Sequence, residues 1–160
     1  MPEDVLEALL REDRAQIGRL ADYHVPPDFP GEATGLVRLR RDQLAADPSI
    51  GPWLLRAIVR REDRVMVGYV NFHGPPGVND TMTVGAVELG WTVFPEYRQR
   101  GYATETANAL MEWAAREFGI RRFVSSTTPE NAASLRVHAK LGFVPTGEVV
   151  DGEVIFGLDR

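Results

Sequence analysis

The chain has 160 residues, 44% of them apolar and 26% charged, a balance that suits one compact domain (residues 1–160) with a single sizeable core. Its formal charge of −5 argues against a general nucleic-acid binder, which needs cationic surface to displace phosphate counterions, and no apolar run approaches the roughly 20 residues that span a bilayer. Cysteine is absent, which excludes disulfides, thiolate metal sites and a cysteinyl acyl-enzyme. The acidic start Met1-Pro2-Glu3-Asp4 is unlike a basic secretory leader, so a cytoplasmic protein without a membrane partner is expected.

From Glu3 to about Tyr23 the apolar residues Val5, Leu6, Leu9, Leu10, Ile17 and Leu20 recur at helical spacing, in one or two short helices. Val25-Pro26-Pro27-Asp28-Phe29-Pro30-Gly31 breaks the pattern, and a further helix is predicted over about Thr34 to Ala46. Leu54–Arg60 and Val65–Phe72 then read as two strands joined by the polar turn Arg61-Glu62-Asp63-Arg64. The stretch Gly74 to Asp80 reads as an exposed loop. A third strand, about Val84 to Phe94, alternates Val87, Leu89, Trp91 and Val93 with Ala86, Glu88, Gly90 and Thr92; with both faces partly apolar, a helix should cover at least one.

Tyr102–Phe118 is the clearest helix, with Ala103, Ala107, Leu110, Met111, Ala114 and Phe118 on one stripe and Gly119 as its stop. A strand over Arg121–Thr127, a helix over Pro129–Leu141 closed by Gly142, and strands over Phe143–Val150 and Glu153–Leu158 follow. Asp151-Gly152 predicts a tight hairpin between the last two. The order implies an α/β fold, a central mixed sheet with helices on its faces.

The segment Phe94-Pro95-Glu96-Tyr97-Arg98-Gln99-Arg100-Gly101-Tyr102-Ala103-Thr104 joins the third strand to the long helix. A glycine-bearing basic turn that opens a helix presents unpaired N–H groups at the positive end of the helix dipole, which suits a phosphate or pyrophosphate. It lacks the spacing of a nucleotide P-loop and the three glycines of a dinucleotide fold. Residues 94–142 carry seven basic and five acidic residues, a net +2 against −7 elsewhere. Such a distribution suits a polyanionic cofactor and a cationic acceptor, or is uneven surface scatter.

Arg98-x-x-Gly101-x-Ala103 resembles the acyl-CoA motif of the GCN5-related N-acetyltransferase (GNAT) superfamily, and Asn131-Ala132-Ala133-Ser134 followed by Lys140-Leu141-Gly142-Phe143 resembles its second motif. Two motifs in order, with a helix and a strand between them, are more specific than either alone, and the element order from Trp53 onward fits. Glu88-Leu89-Gly90-Trp91-Thr92-Val93 and Gly101-Tyr102-Ala103-Thr104-Glu105-Thr106 look most like the RimJ/RimL branch. Members usually begin with a strand, whereas helical sequence starts here almost at once; the first edge strand is expected to be missing, and an unprotected edge favours a homodimer.

The resemblance implies acetyl-CoA as acyl donor and an amine acceptor that is either a small molecule or a protein N-terminus; no metal is expected. It implies that a splayed strand at Trp91, Thr92 and Val93 hydrogen-bonds the pantetheine arm. Backbone N–H groups of Arg98, Gln99, Arg100 and Gly101, and of Tyr102, Ala103 and Thr104 in the first helical turn, would bind the pyrophosphate. Asn131 and Ser134 would meet the pantetheine or acyl end, although Asn131 equally suits a helix N-cap. Glu88, a carboxylate among apolar neighbours, reads as a general base for the attacking amine or as a carboxylate on a partly solvated face. Where many members carry a tyrosine that protonates the departing thiolate, this chain has His138, which reads as that acid or as packing beside Leu135 and Ala139. Tyr97, Trp53, Tyr69, Phe72 and Trp91 line an acceptor pocket or pack the core. His24 and His73 stand far apart near loops and suggest no metal site. The competing class is a catalytically silent acyl-CoA-binding module, which would keep the turn and need neither Glu88 nor His138.

Overall fold

A computed structural model describes residues 1–79, 81 and 83–160, so Asp80 of the predicted loop lies outside the described residues. The chain forms two compact units, Met1–Tyr69 and Val70–Arg160. In the first, α1 (Glu3–Leu10) and α2 (Arg14–Leu20) share the predicted helical stretch. They separate because Glu12 takes a left-handed φ of 56° and Asp13 restarts the helix, its carboxylate accepting from the Gln16 N–H at 2.9 Å. α3 (Thr34–Ala46) packs on α1, with Val5, Leu6, Leu9, Val37 and Leu44 buried. The proline-rich link between α2 and α3 is pinned by Arg14, whose guanidinium donates to the carbonyls of Pro26, Pro27 and Phe29.

Strand β1 (Arg56–Val59) and the head of β2 (Met66–Phe72) complete this unit, with the Arg60 N–H donating to the Val65 carbonyl at 2.8 Å across the turn. Among the described residues before β1 the chain is helical or irregular apart from an isolated bridge between His24 and Val65.

The second unit holds the tail of β2, β3 (Ala86–Val93), α4 (Tyr102–Phe118), β4 (Arg122–Thr127), α5 (Ala132–Leu141), β5 (Val144–Val150) and β6 (Glu153–Asp159). The six strands order as β1-β2-β3-β4-β6-β5; β3 and β4 are parallel, and β6 is antiparallel to both β4 and β5. This is the expected α/β arrangement. The loop before β3 is less exposed than predicted, because Asn79 is buried and its amide donates to the carbonyls of Thr83 and Ala86. Asp151 and Gly152 have φ of 49° and 84°, the two left-handed positions of a tight hairpin turn.

Helix α4 buries Ala107, Leu110, Met111 and Ala114, while Phe118 is half exposed at its end with its ring edge-on to Trp113. Helix α5 starts at Ala132 rather than Pro129 because the Asn131 side chain accepts from the Ser134 N–H at 3.0 Å and fixes the first turn there. Its inner face is anchored by His138, which is 1% exposed. The ring stacks on Phe156 at 4.3 Å and lies 4.9 Å from Trp91, with Phe143 edge-on at 5.5 Å. A carbonyl only accepts, so Nδ1–H donates to the Ser134 oxygen at 2.9 Å, and the neutral Nε2 accepts from the Ser125 hydroxyl at 3.0 Å.

Burial pushes the His138 pKa below its ordinary value, with the Ser134 carbonyl opposing in part. The unfolded ring therefore takes up a proton at higher pH than the folded ring. This contribution to stability is full above about pH 6.5, the unfolded value, and is lost as pH falls below it. His138→Phe keeps the ring bulk, orphans the Ser125 hydroxyl and should cost about 1–3 kcal/mol in urea unfolding. Adding Ser125→Ala should restore part of that loss, and both variants should show a flatter fall in stability below pH 6.5. A double variant no more stable than the single one would contradict this account.

Candidate active site

The parallel ladder of β3 on β4 runs over Ala86–Arg122, Val87–Phe123 and Glu88–Val124. Beyond Glu88 the strands part: β3 continues to Val93, while β4 continues to Thr127 and pairs, among the described residues, with β6. The backbone of Leu89 to Val93 thus runs on beyond its β4 partner, and the Val93 carbonyl accepts instead from Arg98 Nε at 3.0 Å. Trp91, Thr92 and Val93, the residues expected to meet the pantetheine arm, lie on this parted stretch and are half-buried. The Trp91 ring is turned to His138.

Strand β3 leads through a tight turn at Pro95–Tyr97 into the basic segment. Gln99 has φ 62° and Gly101 φ 90°, ψ −10°; both are left-handed, and only the glycine accepts that conformation without side-chain strain. Gly101 is the N-cap of α4, its carbonyl accepting from Glu105 N–H at 3.0 Å, and no side chain caps the helix. The first-turn N–H groups of Tyr102, Ala103 and Thr104 therefore open at the positive end of a 17-residue helix. A Cβ placed on Gly101 would meet nothing within 4 Å, so the approach is open. Arg98 reaches back to the Val93 carbonyl at 3.0 Å, and Arg100 donates to the Glu96 carbonyl and lies 5.9 Å over the Tyr97 ring. Both stay exposed beside the turn.

Glu88, the last rung before the strands part, is 2% exposed. Its Oε1 lies 3.3 Å from Nδ1 of His73 and 3.5 Å from the Ser126 hydroxyl, which donates to Glu153 at 2.5 Å. Gly90 makes room for this cluster, since a Cβ there would stand 3.2 Å from His73 Nε2. Sequence reasoning left His73 among loop residues without companions. Its pairing with Glu88 depends on the register across the 74–85 loop, and Ser126–Glu153 depends on the β4–β6 pairing. Alternating residues 88 and 90 were the one local signal.

Asn131 takes the N-cap role, and its neighbour Ser134 is half-buried. His138 has both ring nitrogens bonded, so a proton given to a leaving group from it must first break one of those bonds. Of the candidate pocket aromatics, Trp53 and Phe72 are buried, Phe72 stacks on Phe123, and Tyr69 contacts Phe29. A recess of about 380 Å³ lined by Val84, Gly119, Ile120 and Arg121 sits at the opposite end of α4 from Gly101, about 25 Å away along the helix, and takes no part in the site. Among the described residues no group of three or more His, Cys, Asp or Glu is placed to hold a metal, and no helix is long and apolar enough to cross a membrane.

Comparison with known proteins adds an independent line. Residues 2–144 match the family described as acetyltransferase (GNAT) domain. The chain is 32% identical over 145 residues to an L-2,4-diaminobutyric acid acetyltransferase of Streptomyces coelicolor, covering 85% of this chain and 82% of that one. It is 31% identical over 85 residues to the uncharacterized N-acetyltransferase YnaD of Bacillus subtilis, 53% of this chain and 46% of that protein, so it spans about half of YnaD's length. A 33% identity over 99 residues links it to an aminoglycoside N(6')-acetyltransferase type 1 of Salmonella typhimurium, covering 60% and 67%. Among solved structures, RimL, a ribosomal L7/L12 acetyltransferase in complex with coenzyme A, superposes with a TM-score of 0.62 at 19% identity over 99% of this chain and 90% of that one. With its family match extending over residues 2–144, the chain belongs to the GNAT acetyltransferase family.

Proposed function

We propose that the protein transfers an acetyl group from acetyl-CoA to a primary amine by direct attack in a ternary complex. The observation that carries this reading is the parting of β3 and β4 at Glu88 directly before the open N-terminus of α4. Acetyl-CoA supplies an activated thioester and a diphosphate handle. The chain's own groups fit it: backbone of Trp91 to Val93 along the pantetheine arm, N–H groups from Arg98 to Thr104 on the pyrophosphate, and Asn131 and Ser134 from α5 beside the arm. The amine nitrogen forms a bond to the carbonyl carbon, the carbon–sulfur bond breaks, and the thiolate leaves. Glu88 accepts the amine proton; an ammonium has no lone pair with which to attack.

The thiol is a good leaving group with an ordinary pKa near 8.5, so an acid contributes little. We assign His138 to fixing α5, and with it Ser134, against the sheet. The names of the Streptomyces and Salmonella relatives point to small acceptors carrying several amines, which suits the acidic remainder of this chain. We therefore favour a small cationic amine over a protein N-terminus. The buried and hydrogen-bonded Glu88 favours an enzyme over a silent binding module.

Gly101→Val should weaken acetyl-CoA binding in titration calorimetry by at least about tenfold. It also forces a β-branched side chain into the left-handed region at a cost of about 1–2 kcal/mol, so binding is measured well below the variant's melting temperature. Affinity equal to the parent would remove the turn from the site. Glu88→Gln should lower kcat by about 100- to 10,000-fold at neutral pH with acetyl-CoA affinity kept, and the loss should shrink at alkaline pH, where free amine is abundant. An unchanged pH–rate profile would refute the base role.

A further inference from the structure

We propose that the Arg98 side chain is a positioning residue, a clasp that ties the end of β3 to the basic turn and so sets the turn's N–H groups for a diphosphate; this rests on the acetyl-CoA site read above. The chain must reverse between Val93, the last residue of β3, and Gly101, the N-cap of α4. It does so with left-handed backbone at both Gln99 (φ 62°) and Gly101 (φ 90°). Glycine adopts that conformation freely. Gln99 pays for its Cβ there, so contacts around it have to hold the turn in shape.

The backbone bonds before Gln99 are local. Tyr97 N–H donates to the Phe94 carbonyl at 2.9 Å and Arg98 N–H to the Pro95 carbonyl at 3.3 Å. The Arg98 side chain reaches further, its Nε donating to the Val93 carbonyl at 3.0 Å. Arg98 is therefore tied twice to what precedes it, once through its main chain and once through its side chain. Gln99 follows directly, so the left-handed step starts from a fixed point.

Arg100 is the natural comparison, because it carries the same charge in the same turn and is also exposed. Its Nη2 donates to the Glu96 carbonyl at 3.3 Å, and its guanidinium lies 5.9 Å from the centroid of the Tyr97 ring. Both contacts stay within the turn. If charge alone mattered, the two arginines would be interchangeable. Only Arg98 links the turn to the strand on which the pantetheine arm is placed, so the donor at Nε is what sets it apart.

Substitutions can separate donor from charge. Glutamine carries its amide nitrogen as many bonds from Cα as the Nε of arginine, so Arg98→Gln keeps the donor and loses the charge. Arg98→Met keeps the length and loses both. Arg100→Gln removes one charge and leaves the Val93 bond in place. Coenzyme A is titrated calorimetrically into the parent and each variant at low salt and in about 1 M potassium chloride, where the screening length is about 3 Å. Arg98→Gln and Arg100→Gln should each lose about threefold in affinity at low salt, the share of one exposed charge, and little in high salt. Arg98→Met should bind about tenfold more weakly than Arg98→Gln at both salt concentrations. In the free protein, hydrogen exchange at the Tyr97 and Arg98 amides, followed by NMR, should be faster in Arg98→Met than in the parent and close to the parent in Arg98→Gln. A parent that does not bind coenzyme A would overturn the site and the clasp together. A parent that binds, with Arg98→Gln and Arg98→Met of equal affinity, would overturn the clasp alone, as would a methionine loss that disappears in high salt or amide exchange unchanged in Arg98→Met.

Discussion

The arrangement depends on one interruption of hydrogen bonding: β3 and β4 stop pairing at Glu88 while both strands continue. Ending a ladder inside a sheet is costly, because buried N–H and C=O groups left unpaired lose about 1–3 kcal/mol each. Five residues of β3 run past the last rung. A fold built for stability alone would close this gap. That the strands part directly before the uncapped first turn of α4 is the arrangement on which the proposed acetyl-CoA site rests. Left-handed backbone at Gln99 and Gly101 aims the turn, and the helix dipole supplies attraction that the surface arginines extend.

Glu88 sits where the interruption begins, and magnitudes separate its two readings. Removing a carboxylate from water costs several kcal/mol, while each hydrogen bond it regains returns about 1–3. Contacts with His73 and Ser126 therefore limit a cost rather than add stability, and an apolar residue would serve the sheet better. A buried carboxylate at the point where the strands part is the observation on which its proposed role as base rests. His138 shows the opposite pattern. It is as deeply buried, yet burial favours its neutral form, both nitrogens are bonded, and three aromatic rings surround it. Two equally buried titratable groups are thus proposed for opposite roles, Glu88 as base and His138 as a packing element.

Much of this was legible in the chain itself, because local chemistry sets it. α4 runs over Tyr102–Phe118 as its apolar stripe and closing glycine predict, and Asp151-Gly152 forms the expected turn. The Arg98–Thr104 turn declares itself through its glycine and charges. Boundaries moved where a side chain captured a backbone group, as Asn131 does at α5 and Asp13 at α2. Long-range register was not legible. Nothing local says that His73, after a loop, returns beside Glu88, or that Ser126 meets Glu153 across two antiparallel strands. The double bonding of His138 likewise appears only once α5 lies over Ser125.

The central claim is that the gap beside Leu89–Val93 and the open turn before α4 together form the acetyl-CoA site. Amide hydrogen exchange followed by mass spectrometry, with and without saturating coenzyme A, tests it directly, because a ligand lying there satisfies the exposed N–H groups. The account predicts added protection in residues 89–93 and 99–104 and none around 119–122, where the separate recess lies. Protection around 119–122 with no change over 89–104 would contradict it.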